Sequence, residues 1–169
     1  MSVQTGIVLR MFFCVFLSLF VPVPGHAQSE TKLVYPIKRL STEAALGMAR
    51  AALEACRKKG VQVGVTVVDR GGHAQVVLRD VFAPDLTLKV SQMKAYTAVN
   101  FAASTSSLRD NKRLRELPGV LTLEGGVPIQ ASGTLLGAIG VSGAPSGITD
   151  EKCAREGVDS LIDEIEMQD

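Results

Sequence analysis

The chain has no tryptophan, only 5% aromatic residues, three cysteines and two histidines among its 169 residues, and a formal net charge of +1. Each shortage removes a class of function. Without a basic field or interleaved aromatics there is no surface for phosphate backbones and no platform for base stacking, so nucleic acid is not a partner. With no CxxC, no HxxxH and so few thiols and imidazoles, a zinc site of four protein ligands cannot be assembled. A Ser-His-Asp triad would need one particular histidine, His73, as its base.

The scarcity deepens once the N-terminus is read. No acidic residue precedes Glu30, Arg10 supplies a positive charge, Met11 to Val21 (MFFCVFLSLFV) is an apolar run, and Gly25 and Ala27 are small residues suited to cleavage. This pattern predicts a secretory signal peptide over residues 1–27, since the run falls short of the roughly 20 residues a membrane-spanning helix needs. The mature protein is then periplasmic or secreted, with residues 28–40 as an N-terminal extension and 41–169 as one domain. Cys14 and His26 leave with the signal, so Cys56, Cys153 and His73 remain. In an oxidising compartment the two thiols either form a disulfide between the terminal helices or stay buried and separate.

The rest of the chain reads as alternating helical and strand periods. Ser41 precedes a helix over 41–59, whose apolar face is Ala45, Leu46, Ala49, Ala52, Leu53 and Cys56, closed by Gly60. Residues 61–80 predict a β-hairpin about the turn Arg70-Gly71-Gly72, with Val61, Val63, Val65 and Val67 alternating on the first strand and Ala74, Val76 and Leu78 on the second. A second helix, 86–103, carries an apolar stripe of Leu86, Val90, Met93, Thr97 and Phe101, leaving Lys89, Lys94 and Asn100 off it. Residues 104–117 are polar and basic and read as a solvated connection. A second hairpin turns at Ser132-Gly133, and Pro128 marks its strand as an edge or a bulge. A last helix runs from Thr149 or Asp150 to the C-terminus. Hairpins with helices between them predict an α+β layered domain with an antiparallel sheet.

Gly125, Gly126, Gly133, Gly137, Gly140, Gly143 and Gly147 crowd one short stretch. A phosphate cradle would need GxGxxG or GK[ST] between a strand and a helix, and GAIGVSG spaces its glycines three apart inside a strand instead. The glycines therefore leave room either for a ligand over the sheet or for another backbone.

In combination, VTVVDRGGHAQVVLRD, MKAYTAVNFAASTSSL and GGVPIQASGTLLGAIGVSGAP followed by ITDEKCAREGVD resemble the GlcG/HbpS family of haem-binding and haem-degrading domains, over about Leu40 to Ile165. The same motifs resemble the C-terminal domain of one type of cobalamin adenosyltransferase. The resemblance implies a profilin-like fold with a five-stranded antiparallel sheet packed between helices, a homo-oligomer, and haem, bound by some members and slowly degraded by a few. Haem needs an apolar slot, an axial donor and cations for its propionates. The expected cofactor-binding residues are His73, as the iron ligand, with Met93, Lys94, Tyr96, Gly125 and Gly126; Lys89 and Arg79 are further cations. His73 could instead cap its turn against Asp69, and Met93 could be core. An alternative function is an enzyme or accessory subunit acting on a small carboxylate metabolite without haem.

Overall fold

Ser41 starts the first helix by a side-chain bond, its Oγ accepting the N–H of Ala44 at 3.1 Å, and helix α1 follows over Thr42–Lys58. The hairpin comes next as β1 (Gly64–Asp69) and β2 (Ala74–Arg79), then helix α2 (Leu86–Phe101) and two short 3-10 turns at Thr105–Leu108 and Lys112–Glu116. Strands β3 (Gly126–Ala131) and β4 (Thr134–Ser142) are followed by helices α3 (Gly147–Asp159) and α4 (Ile162–Met167). This computed structural model describes residues 32–168, so the signal peptide read over residues 1–27 lies outside the described residues. Residues 32–35 carry no helix or strand; those from Pro36 onward form one compact unit.

All strand pairs are antiparallel, in the order β2-β1-β4-β3. The sheet thus has four strands among the described residues, where five were expected. The segment before β3 lies outside the ladder and is tied to α2 instead, the N–H of Leu121 donating to the Thr97 hydroxyl at 2.8 Å. Pro128 sits on β3, an edge strand, where its missing N–H costs no central ladder bond. The β3–β4 turn places both Ser132 (φ 46°) and Gly133 (φ 75°) in the left-handed region, the twist a two-residue hairpin prefers.

The sheet is covered on both faces, so β1 is buried along its whole length. On one side α1 and α3 pack Met48, Ala52, Cys56, Cys153 and Ala154 against Val63, Val65, Val67, Ile139 and Val141. On the other, α2 meets the sheet with small residues, and the cluster beneath it is only Val68, Ala95, Ala98, Val99 and Ala138. Of the expected stripe of α2 only Thr97 is fully buried. Leu86 is 67% exposed and Phe101 36%, while Ser91, Lys94, Ala95 and Ala98 face inward. Close approach decides this: at Gly140 of β4 a Cβ would stand 2.0 Å from the Ser91 carbonyl oxygen, so only small side chains can lie between helix and sheet. The long C-terminal helix also divides, between α3 and α4, where Leu161 packs over Gly47.

Cys56 and Cys153 are bridged, with their Cα atoms 5.5 Å apart and a sequence separation of 97, so the bond ties α1 to α3. A loop of this size contributes about 4–5 kcal/mol in the chain-entropy model. Urea unfolding with and without dithiothreitol should show a large fall in midpoint on reduction, and in the oxidised, denatured protein neither Cys56 nor Cys153 should be labelled by a thiol reagent. Equal midpoints would mean that the bridge contributes no stability.

Candidate functional site

The turn after β1 is built around one carboxylate. Asp69 is buried and accepts the N–H groups of Gly71 at 2.8 Å and His73 at 3.0 Å on Oδ1, while Arg39 reaches Oδ2 at 3.2 Å. Burial pushes its carboxyl upward, but these two backbone donors and the Arg39 guanidinium outweigh burial and hold it below the usual range. The turn exposes His73, whose side chain is 83% accessible with Nδ1 3.5 Å from Asp69 Oδ1. His73 thus stands at the sheet rim beside the carboxylate.

Gly72 makes the next link. Its φ of 83° requires glycine, and a Cβ there would fall 2.9 Å from Cδ2 of Tyr96, so the turn lies directly against the Tyr96 ring. On α2, Gln92, Met93 and Tyr96 line an open hollow of about 370 Å³ together with Pro118 and Gly119. Gly119 also adopts φ 80°, and a Cβ on it would be 3.8 Å from the same ring. Three segments distant in sequence, the Gly71-Gly72-His73 turn, the outer face of α2 and the Pro118-Gly119 bend, therefore converge on Tyr96. Met93 belongs to this outer face rather than to the core cluster beneath α2.

Lys94, Gly125 and Gly126 are placed differently from the expectation. Lys94 is 2% exposed and donates to Asp150 Oδ2 at 2.8 Å and to the Val141 carbonyl at 2.9 Å. It clamps α2 to β4 and α3, and it is not a cation held out to a ligand. Asp150 also accepts the N–H of Ala144 at 2.9 Å, and burial raises its carboxyl above the usual range although Lys94 opposes the shift. The glycine pair forms no open slot. A Cβ at Gly125 would meet the Val141 carbonyl at 2.6 Å, and one at Gly126 the Lys94 carbonyl at 2.4 Å. Their N–H groups are used by Glu151 at 3.4 Å and by the Thr105 hydroxyl at 3.0 Å. Nor is the segment over 104–117 wholly solvated, since Thr105 is buried and Ser106 donates its hydroxyl to Glu151 at 2.7 Å. Arg79 is spent on the Ala83 carbonyl at 2.7 Å, whereas Lys89 lies exposed one helical turn from Met93.

The chain thus forms a small α/β/α domain with an antiparallel sheet and an open, partly apolar hollow on the outer face of α2. The chain belongs to the HbpS-like family: the family model described as "Haem degrading protein HbpS-like" matches residues 40–159. Protein GlcG of Escherichia coli K12 is 32% identical over 108 residues, spanning 61% of this chain and 81% of that protein. Among solved structures, a double mutant of HbpS from Streptomyces reticuli superposes with a TM-score of 0.73 at 40% identity, covering 83% of this chain and 99% of that one. A haem complex of PduOC superposes at 0.68 with 29% identity over 73% of this chain and 95% of its own.

Proposed function

We propose that the protein is an exported haem-binding protein, acting in haem capture, storage or sensing, that holds haem on the Tyr96 face with His73 as axial ligand. The observation that carries the reading is the packing of the turn that bears His73 against Tyr96, through Gly72, while Tyr96 and Met93 line an apolar, solvent-open hollow on α2. The residues fit the group. A planar, largely apolar ligand suits the face, neutral imidazole is a good iron donor, and exposed Lys89 is placed for a propionate. When bound, haem would supply the iron chemistry; the chain supplies the donor nitrogen, the aromatic wall and the cation.

Two further features, the disulfide and an exposed apolar surface, support the setting. The disulfide fits an oxidising compartment and hence export. Among the described residues no helix is long and apolar enough to cross a membrane. Exposed Val81, Phe82 and Leu86 lie close in sequence, an apolar surface that assembly into a homo-oligomer would cover. The small-carboxylate alternative has less behind it, because both cations lining a second cleft are engaged, Arg109 with Glu124 at 2.9 Å and Arg115 with the Arg109 carbonyl at 2.6 Å.

Substitution separates ligation from turn capping. His73→Ala should remove the imidazole-ligated haem spectrum while leaving the circular dichroism unchanged. An unchanged haem spectrum with a lowered melting temperature would assign His73 to the turn and move the search for the donor to Tyr96 or Met93.

A further inference from the structure

The two edges of the sheet are treated differently. At the open end of the β1–β2 hairpin the N–H of Asp80 donates to the Val63 carbonyl at 3.0 Å, and antiparallel strands alternate bonded with non-bonded pairs. The register Val65↔Leu78 and Thr66↔Val77 therefore directs the backbone groups of Leu78 to β1 and those of Val77 and Arg79 away from the sheet. Among the described residues no hydrogen bond takes up these outward N–H and C=O groups. On β3 the outward positions are guarded. Gly126 gives its N–H to the Thr105 hydroxyl at 3.0 Å, and Pro128 has no N–H to offer.

We infer that β2 is a seam between two copies of this chain: their β2 strands pair antiparallel about a two-fold axis and join the two sheets into one. The inference rests on the homo-oligomer reading above and names the surface through which the copies meet; it does not depend on haem.

A second copy is the occupant that fits. The outward N–H and C=O groups of Val77 and Arg79 need as many acceptors and donors in return, and an identical strand run antiparallel supplies them. With the axis at Leu78, Val77 faces the partner's Arg79, so no like charges stand opposite each other. The Arg79 guanidinium donates to the Ala83 carbonyl at 2.7 Å, which holds its charge on its own chain. The devices that keep an edge strand from pairing are missing at this point. Ala74–Arg79 contains neither proline nor lysine, and its bulge falls between Ala74 and Val76, short of the two outward residues. The side chains suit burial as well. Val77 is 47% exposed, and Val81 and Phe82, just past the end of the strand, are exposed apolar residues.

Val77→Pro tests the seam, because the N–H it removes is one that β1 does not use. Light scattering on the oxidised protein at micromolar concentration should give an oligomer for the wild type and for Val77→Ala, which keeps the N–H. Val77→Pro should have at most half that mass, with its circular dichroism unchanged. In the wild type the Val77 and Arg79 amides should exchange slowly with deuterium, since pairing takes them out of water. An unchanged mass in Val77→Pro overturns the inference and leaves assembly through another surface standing. A wild-type monomer overturns both, and slow exchange in that monomer would show that another segment of the same chain covers the edge. An equal loss of mass in Val77→Ala assigns the contact to the side chain and overturns strand pairing. Should Val77→Pro fail to fold, the wild-type protein decides alone: slow exchange of both amides in an oligomer supports the seam, and fast exchange overturns it.

Discussion

Lys94→Met should destabilise the protein by about 3–5 kcal/mol, the cost of leaving one member of a buried ion pair without its partner. The stranded group is Asp150, which is 3% exposed and would keep only its backbone donors once the 2.8 Å contact to Lys94 Nζ is gone. The loss should depend on pH with a definite sign. Burial already raises the folded Asp150 carboxyl above its ordinary value in the wild type, and removing the cation that opposes this raises it further. The folded state then binds the proton more tightly than the unfolded state, so the stability of the variant is best preserved at acid pH and falls as pH rises through the folded value. Asp69 and Asp80, whose carboxyls are held low, work in the opposite direction but contribute equally to wild type and variant. The difference in urea midpoint between the two proteins should therefore narrow on acidification. Lys94→Met combined with Asp150→Asn should recover most of the loss, since the amide keeps an oxygen for the Ala144 N–H and removes the stranded charge. A Lys94→Met protein as stable as the wild type at neutral pH would show that the pair does not hold the layers together.

Gly140→Val should be as severe for a different reason. The new Cβ would stand 2.0 Å from the Ser91 carbonyl oxygen and 2.7 Å from the Ala95 nitrogen, both backbone atoms of α2, so no rotamer change relieves the clash. The helix must lift from the sheet, breaking the 2.8 Å bond between the Thr66 and Ser91 hydroxyls and opening the small cluster around Ala95, Ala98 and Ala138. A loss of about 3 kcal/mol or more, the upper end for overpacking, is expected. Gly133→Ala is the control. No atom lies within 4 Å of its Cβ position, and only its φ of 75° is unfavourable, so it should cost about 1–2 kcal/mol. If the two substitutions had similar melting temperatures, the close approach of α2 to β4 would not be what Gly140 provides.

Gly140 also shows what could be read from the residues and what could not. Glycine density signals close approach, but strand glycines beneath a ligand and beneath a helix look alike in sequence. Gly125, Gly126 and Gly140 all proved to lie against backbone carbonyls, two of them on α2. The hairpin strands, with their valines at alternate positions, were legible because a period of two is unambiguous. The orientation of α2 was not, because small residues won the sheet contact and larger apolar ones were left outside. Once α2 turned, Lys94 moved from the expected surface into the interior, and Tyr96 came to face the histidine turn. The aspartate behind His73 had a signal in sequence: Asp69, Gly71 and His73 follow the spacing of a turn that folds back on its own carboxylate. Its link to Arg39, 30 positions earlier, had none.

The most direct test of haem binding on the Tyr96 face is an equilibrium titration of the oxidised wild-type protein with hemin, followed in the Soret band. A sharp shift that saturates near one haem per chain, carrying an imidazole-ligated spectrum, is the predicted result. A broad absorbance change that never saturates, as surface adsorption produces, would contradict it.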